Sequence, residues 1–295
     1  MTSEATRRPM RSWLFAPGDS ERKIGKCIAS DADMAILDLE DAVAPEAKPE
    51  ARRLVHDVLR DYEGDRGRVF VRVNPLDGPH TLDDLVAVMP ARPGGIMLPK
   101  IYGSEDLETL DKYLDALETA NGIAKGSTPV LAIATETARS VLHCAEIAAG
   151  PRVIGLTWGA EDLADALGAS VNTQDDGSYG FTYEMARSMC LLGAAGAGVP
   201  AFDTIQGDFR DLDRLRLRAE KMRRDGFGGM LAIHPAQVDV INRAFTPSEE
   251  ELAEAREIVA LFDANPGTGA IGWKGGMLDR PHLARAQNLL ASAGE

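Results

Sequence analysis

Three lone charges close apolar runs in this sequence: Arg72 in Val69-Phe-Val-Arg-Val, Glu136 after Val130-Leu-Ala-Ile-Ala-Thr, and Asp162 after Val153-Ile-Gly-Leu-Thr-Trp-Gly. Two carboxylates at neighbouring strand ends are hard oxygen donors suited to Mg2+, with Mn2+ as the related choice. Such an ion keeps positions free for water and substrate oxygens. An arginine beside them offers a planar fork for a carboxylate. Together these groups suit a chelated 2-oxo or 2-hydroxy acid whose adjacent carbon–carbon bond is made or broken. Each also has a plainer reading. The two acids could simply occupy first helical turns, where the dipole favours them. Arg72 could form an internal ion pair with Glu40, because a charge inside a barrel needs a partner. Asp38-Leu-Glu-Asp-Ala-Val puts Asp38 and Glu40 on one face by the period of two, with Asp41 and Lys48 in the loop beyond.

The elements that must position these residues follow from periodicity. Eight β-like runs, near 12–16, 34–39, 69–73, 95–98, 130–134, 153–157, 199–204 and 230–233, alternate with helical spacing at 50–59, 104–118, 138–148 and 212–225. That alternation predicts a parallel sheet with right-handed crossovers. Eight units within residues 1–245 match a closed (β/α)8 TIM barrel, typically about 250 residues, better than an open doubly wound sheet. Catalytic residues of such barrels come from the C-terminal ends of several strands, which is where these charges fall.

The remaining residues, 246–295, read as a C-terminal helical arm attached to the catalytic barrel. Thr246-Pro-Ser-Glu reads as a capping-box start, with Thr246 as N-cap, for a helix to about residue 263. Residues 265–276 have loop composition, and a last amphipathic helix covers about 281–290. A glycine-rich arm of this kind suits packing on a neighbouring subunit.

Thirty-two Lys and Arg against 46 Asp and Glu give a net charge of −14, which argues against nucleic acid or an anionic membrane as partner. Small molecules are the expected ligands. Cys27, Cys144 and Cys190 lack metal or redox spacing and read as reduced core thiols. No run resembles a signal peptide or a membrane span, so a cytoplasmic protein is expected.

Several motifs occur in one order almost end to end: Leu14-Phe-Ala-Pro-Gly, Asp38-Leu-Glu-Asp-Ala-Val with Lys48, Val71-Arg-Val-Asn, Met97-Leu-Pro-Lys, Glu136-Thr-Ala-Arg, Trp158-Gly-Ala-Glu-Asp-Leu, Ile233-His-Pro-Ala-Gln-Val and Gly276-Met-Leu-Asp-Arg-Pro. In these the chain resembles the citrate lyase β-subunit-like and malyl-CoA lyase group of the HpcH/HpaI aldolase family, within the phosphoenolpyruvate/TIM-barrel superfamily. The resemblance implies that Glu136 and Asp162 hold Mg2+ and that Arg72 binds the carboxylate of a 2-oxo acid. It also implies that Gly159, Ala160, Pro99 and Lys100 line the same pocket. In the branch that cleaves free acids a histidine follows the second-strand glutamate; here that position is Asp41, counted with Glu40 in the catalytic set. In the CoA-ester branch the acid/base is an aspartate of the C-terminal motif, matched by Asp279. A preferred helix N-cap is the plainer role for Asp279.

The implied activity is a Mg2+-dependent lyase acting on a malyl- or citramalyl-CoA thioester to give glyoxylate or pyruvate, in a homotrimer or dimer of trimers. A citrate lyase β subunit working with an acyl carrier protein, a malyl-CoA thioesterase and a non-catalytic 2-oxo-acid-binding barrel are the other readings. CoA phosphates would need cations, and Arg22 and Lys26, four apart on the first helix, are candidates beside an ordinary solvated face. His234 is a further candidate for ligand contact.

Overall fold

The structure is a computed structural model and describes residues 8–295. β1 (Ser12–Pro17) leads to α1 (Glu21–Ile28), β2 (Met34–Asp38) to α2 (Lys48–Asp61), β3 (Val69–Arg72) to α3 (Thr81–Val88), and β4 (Gly95–Leu98) to α4 (Ser104–Ala120). β5 (Val130–Ile133) precedes α5 (Ala138–Leu142) and α6 (Cys144–Ala148), and β6 (Val153–Thr157) precedes α7 (Ala160–Leu167) and α8 (Phe181–Ala197). β7 (Ala201–Asp203) leads to α9 (Leu212–Asp225) and β8 (Gly229–Ala232) to α10 (Ala236–Ala244). Each strand pairs in parallel with the next and β8 returns to β1, so the sheet closes into the (β/α)8 barrel that the alternation predicted.

The apolar runs become strands because both faces of a closed parallel sheet are covered. Inside, Trp13 meets the Phe70 ring edge-on at 5.1 Å and Phe202 at 5.1 Å, with Met34, Ile36, Met97, Leu131 and Leu231 filling the rest. Gly95 makes room for this layer: a Cβ there would stand 2.2 Å from the Phe70 ring. The run at 199–204 is a strand only over Ala201–Asp203, since Pro200 has no N–H for the ladder and supplies only its carbonyl, to Leu156. The helical stretch at 138–148 is divided at His143, whose φ of −113° and ψ of 13° interrupt the helix.

Residues Pro9–Asn242 form one compact unit and Arg243–Glu295 belong to a second. The second contains α11 (Glu249–Asp263), β9 (Ala270–Trp273), β10 (Gly276–Asp279) and α12 (Arg280–Ser292). Ser248, not Thr246, caps α11: its hydroxyl accepts from the Glu251 amide at 3.2 Å, and the Glu251 carboxylate accepts from the Ser248 amide at 2.7 Å. That register places Glu249, Glu250 and Glu251 in the first turn, at the positive end of the dipole. The stretch expected to be loop holds an antiparallel hairpin, β9–β10. Its two-residue turn, Lys274-Gly275, has both φ angles positive (45° and 81°), the geometry that matches the twist of paired strands. Loop composition concealed it because only four residues on each side pair.

Candidate active site

The parallel register of β2 and β3 sets Asp38 beside Arg72 at the C-terminal rim of the barrel. Arg72 donates from Nε to Asp38 Oδ1 at 2.7 Å and from Nη2 to Oδ2 at 2.6 Å, while Nη1 lies 2.9 Å from Glu40 Oε2. The internal pairing of Arg72 is therefore real, but its main partner is Asp38, and Glu40 is secondary. Asp38 is fixed in turn by the amides of Glu40 (2.9 Å) and Ala42 (3.1 Å). Burial works against both charges. Arg72 nevertheless holds Asp38 below the ordinary carboxylate range, and Asp38, followed by Glu40 and Glu136, holds Arg72 firmly protonated. The Phe15 ring lies 4.9 Å from the guanidinium. Since the Nε edge is committed to Asp38, the N–H groups of Nη1 and Nη2 that remain are those available to a ligand.

Glu136 stands three residues past β5 and Asp162 in the first turn of α7, so the helical placement holds for Asp162. Glu136 is buried, and burial first, then the nearby Asp162 charge, pushes its carboxyl well above the usual range. Gly159 is the N-cap of α7; a Cβ there would come within 2.8 Å of Glu136 Cγ, so its lack of a side chain is what admits the carboxylate. Arg72, Glu136, Gly159, Ala160 and Asp162 line one cavity of ≈ 260 Å³ with Phe15, Asp38, Ile133, Trp158 and Leu231. Trp158 forms a fixed wall: it is fully buried, its Nε1 donates to Asp203 at 2.7 Å, and Asp203 also accepts from Arg218 at 2.8 Å.

Lys100 is tied to this site more closely than sequence reading conveyed, although it and Pro99 line a separate cavity of ≈ 20 Å³ and not the main pocket. Its backbone adopts a left-handed φ of 51°, a conformation that costs a non-glycine residue about 1–3 kcal/mol and recurs at functional sites. In that conformation its amide donates to Glu136 Oε2 at 2.5 Å. Its ammonium lies 2.6 Å from Glu40, 3.2 Å from Asp41 and 3.2 Å from Asp162. Lys48, buried, donates to the carbonyls of Leu39 and Glu40 at 2.9 Å each and braces the loop that carries Glu40 and Asp41.

The other expected residues have surroundings of their own. Arg22 and Lys26 are exposed on α1 and do not line the pocket. His234 stacks on Phe209 at 4.6 Å and accepts from the Ala236 amide at 3.1 Å. Asp279 belongs to the C-terminal unit, where it is the N-cap of α12 and its Oδ1 lies 2.5 Å from His282 Nδ1, a contact that holds its carboxyl below the usual range. Among the described residues no group of three or more His, Cys, Asp or Glu converges as a complete metal cage. The donor set still fits one hard divalent ion: two oxygen-bearing side chains, one of them buried and repelled by the other, with an arginine alongside for a chelating anion. The cysteines are buried and free, and burial pushes the Cys27 thiol up to about 12, which disfavours its thiolate.

The family model for HpcH/HpaI aldolase/citrate lyase matches residues 11–235. The chain belongs to this family of carbon–carbon lyases. A (3S)-malyl-CoA thioesterase of Cereibacter sphaeroides is 36% identical over 289 residues, covering 97% of this chain and 95% of that protein. An L-malyl-CoA/beta-methylmalyl-CoA lyase of the same species is 33% identical, covering 97% and 95%. The Mycobacterium tuberculosis protein CitE, solved in complex with magnesium, acetoacetate and coenzyme A, superposes with a TM-score of 0.82 at 35% identity, covering 97% of this chain and 99% of that one. Among the described residues no helix is long and apolar enough to cross a membrane.

Proposed function

We propose that this chain is a Mg2+-dependent lyase that cleaves, or in reverse forms, a malyl- or citramalyl-CoA-type thioester, giving a 2-oxo acid and acetyl-CoA or a homologue. The observation that carries this reading is the pairing of a braced Arg72 with two mutually repelling carboxylates, Glu136 and Asp162, in one cavity. When bound by those two acids, Mg2+ supplies Lewis-acid polarisation of the oxygen next to the substrate carboxylate. Arg72 neutralises that carboxylate through its free N–H groups and fixes its orientation, with Asp38 and Glu40 preventing the guanidinium from turning. Trp158, Phe15, Ile133 and Leu231 exclude water from the reacting carbon. As the carbon–carbon bond breaks, the substrate hydroxyl gives up its proton to become the carbonyl of the 2-oxo acid and the bonding electrons pass to the thioester α-carbon; the ionised Asp279 carboxylate of a neighbouring subunit's arm takes up that proton and returns it to the α-carbon, and in reverse removes it there. A homotrimer or dimer of trimers would supply that arm. Arg22, Lys26 and His234 remain the candidates for CoA. The thioesterase relative favours a second reading, in which water intercepts the ester on the same barrel.

Purified protein with Mg2+ should release a 2-oxo acid and an acyl-CoA from a panel of malyl-, methylmalyl- and citramalyl-CoA. Release of free CoA and malate without a 2-oxo acid would select the thioesterase reading. Silence across the panel with the metal bound would overturn both.

A further inference from the structure

Lys100 touches four acids at or beside the candidate site, Glu40, Asp41, Glu136 and Asp162. Its amide holds Glu136 and its ammonium lies among Glu40, Asp41 and Asp162, at 2.6, 3.2 and 3.2 Å. Two of these contacts, Glu136 through the backbone and Asp162 through the side chain, are with the carboxylates assigned to the metal. From this geometry we infer that the Lys100 side chain is a built-in counter-cation, which neutralises the acid cluster before a divalent ion arrives and competes with that ion for Asp162. The inference rests on Glu136 and Asp162 being the metal-holding pair.

The two halves of the residue act oppositely. The left-handed backbone at φ 51° presents the amide to Glu136 and so builds the ion's site. The side chain is 29% exposed and keeps Glu40 and Asp41 as partners when Asp162 is given up to the ion. A monovalent charge on a flexible stem offers one contact to Asp162, whereas a divalent ion engages Glu136 and Asp162 together, so the exchange favours the divalent ion without making it irreversible. Metal entry is therefore an ion exchange inside the protein. A 2-oxo acid that adds its own negative charge and chelating oxygens shifts that exchange further, so ion and acid load cooperatively.

Mg2+ binding measured by titration calorimetry, with no substrate and no turnover, separates the two halves. Lys100→Met removes the ammonium but keeps the amide. It should bind Mg2+ at least tenfold more tightly than wild type, while Lys100→Arg, which keeps a cation, should stay within about threefold of it. Equal or weaker binding by Lys100→Met would overturn the proposal and leave Lys100 as part of the metal's support. If Lys100→Met does not fold, the wild-type protein with 13C-labelled lysine provides the second readout. Mg2+ should shift the Lys100 side-chain resonance, assigned by its loss in Lys100→Arg, at the same half-saturation as the calorimetric curve; no shift at saturating metal would refute the exchange. Wild type and Lys100→Met both failing to bind Mg2+ would refute the metal assignment together with this inference. Tight binding without lyase activity would refute only the assigned reaction.

Discussion

Asp38 and Arg72 sit opposite one another in the β2–β3 ladder and close a two-point ion pair at 2.7 and 2.6 Å, with Asp38 1% exposed. A buried pair is costly to break from one side, because the charge left behind has no solvent. Asp38→Asn should therefore lower unfolding stability by about 3–5 kcal/mol in denaturant titration. Because the folded pKa of Asp38 is depressed, its contribution is fully present above the unfolded value of about 3.9 and is lost as pH falls through the lower folded value. The wild type should thus lose stability below pH 4 more steeply than the Asp38→Asn variant.

Arg72→Lys keeps the charge and loses the fork. With no Nε edge to engage Asp38, the ammonium cannot both stay anchored and present two N–H groups to a carboxylate. We expect kcat/KM on the best malyl-type substrate to fall by about 100-fold or more, with the circular dichroism spectrum unchanged. Retention of more than half the activity would show that charge alone suffices.

Glu136 produces the opposite pH dependence. Its folded pKa is raised, so the cost of ionising it in place is absent below the unfolded value of about 4.3 and grows as pH rises towards the folded one. The melting temperature of the metal-free protein should decline over that range. Glu136→Gln should flatten the decline, and saturating Mg2+ should flatten it in the wild type. A wild-type profile that is unaffected by Mg2+ would contradict the assignment of Glu136 to the ion.

Gly159→Ala tests the fit of Glu136 directly. The backbone there is ordinary, with φ −125°, so the substitution adds no strain of its own, but the new methyl group would meet Glu136 Cγ at 2.8 Å and Oε1 at 3.1 Å. Displacing that side chain should cost about 1–3 kcal/mol in stability and weaken Mg2+ binding measured by calorimetry.

Asp279→Asn keeps a preferred N-cap residue type at the start of α12 while removing the carboxylate charge that faces His282. Cleavage should be lost while Mg2+ and 2-oxo acid binding persist. If Asp279 acts on a neighbouring subunit, mixing inactive Asp279→Asn with inactive Glu136→Gln and allowing subunits to exchange should recover about a quarter of wild-type activity, the statistical share of sites with both groups intact. No recovery after demonstrated exchange would place barrel and arm of each site in one chain.

The sequence by itself determined the barrel, because a closed parallel sheet requires apolar runs of strand length separated by helical periods, and both signals are local. It also marked Arg72, Glu136 and Asp162, since an isolated charge at the end of an apolar run is visible without a fold. Local chemistry was not enough in the arm. Thr246 and Ser248 are each followed three residues later by a glutamate, Glu249 and Glu251, so the local pattern offers two caps, and in the structure the box closes at Ser248 and Glu251. The hairpin at Lys274-Gly275 was too short to raise a strand signal above its glycines. What only the tertiary structure decided is how the charges are connected. Asp38 outranks Glu40 as the partner of Arg72 because the β2–β3 register, which no single-strand pattern encodes, puts them side by side. Lys100 joins Glu40, Asp41, Glu136 and Asp162 because a left-handed turn after β4 sends its amide and its ammonium to different acids. Residues 36 and 60 positions apart in sequence meet there only once the barrel has closed.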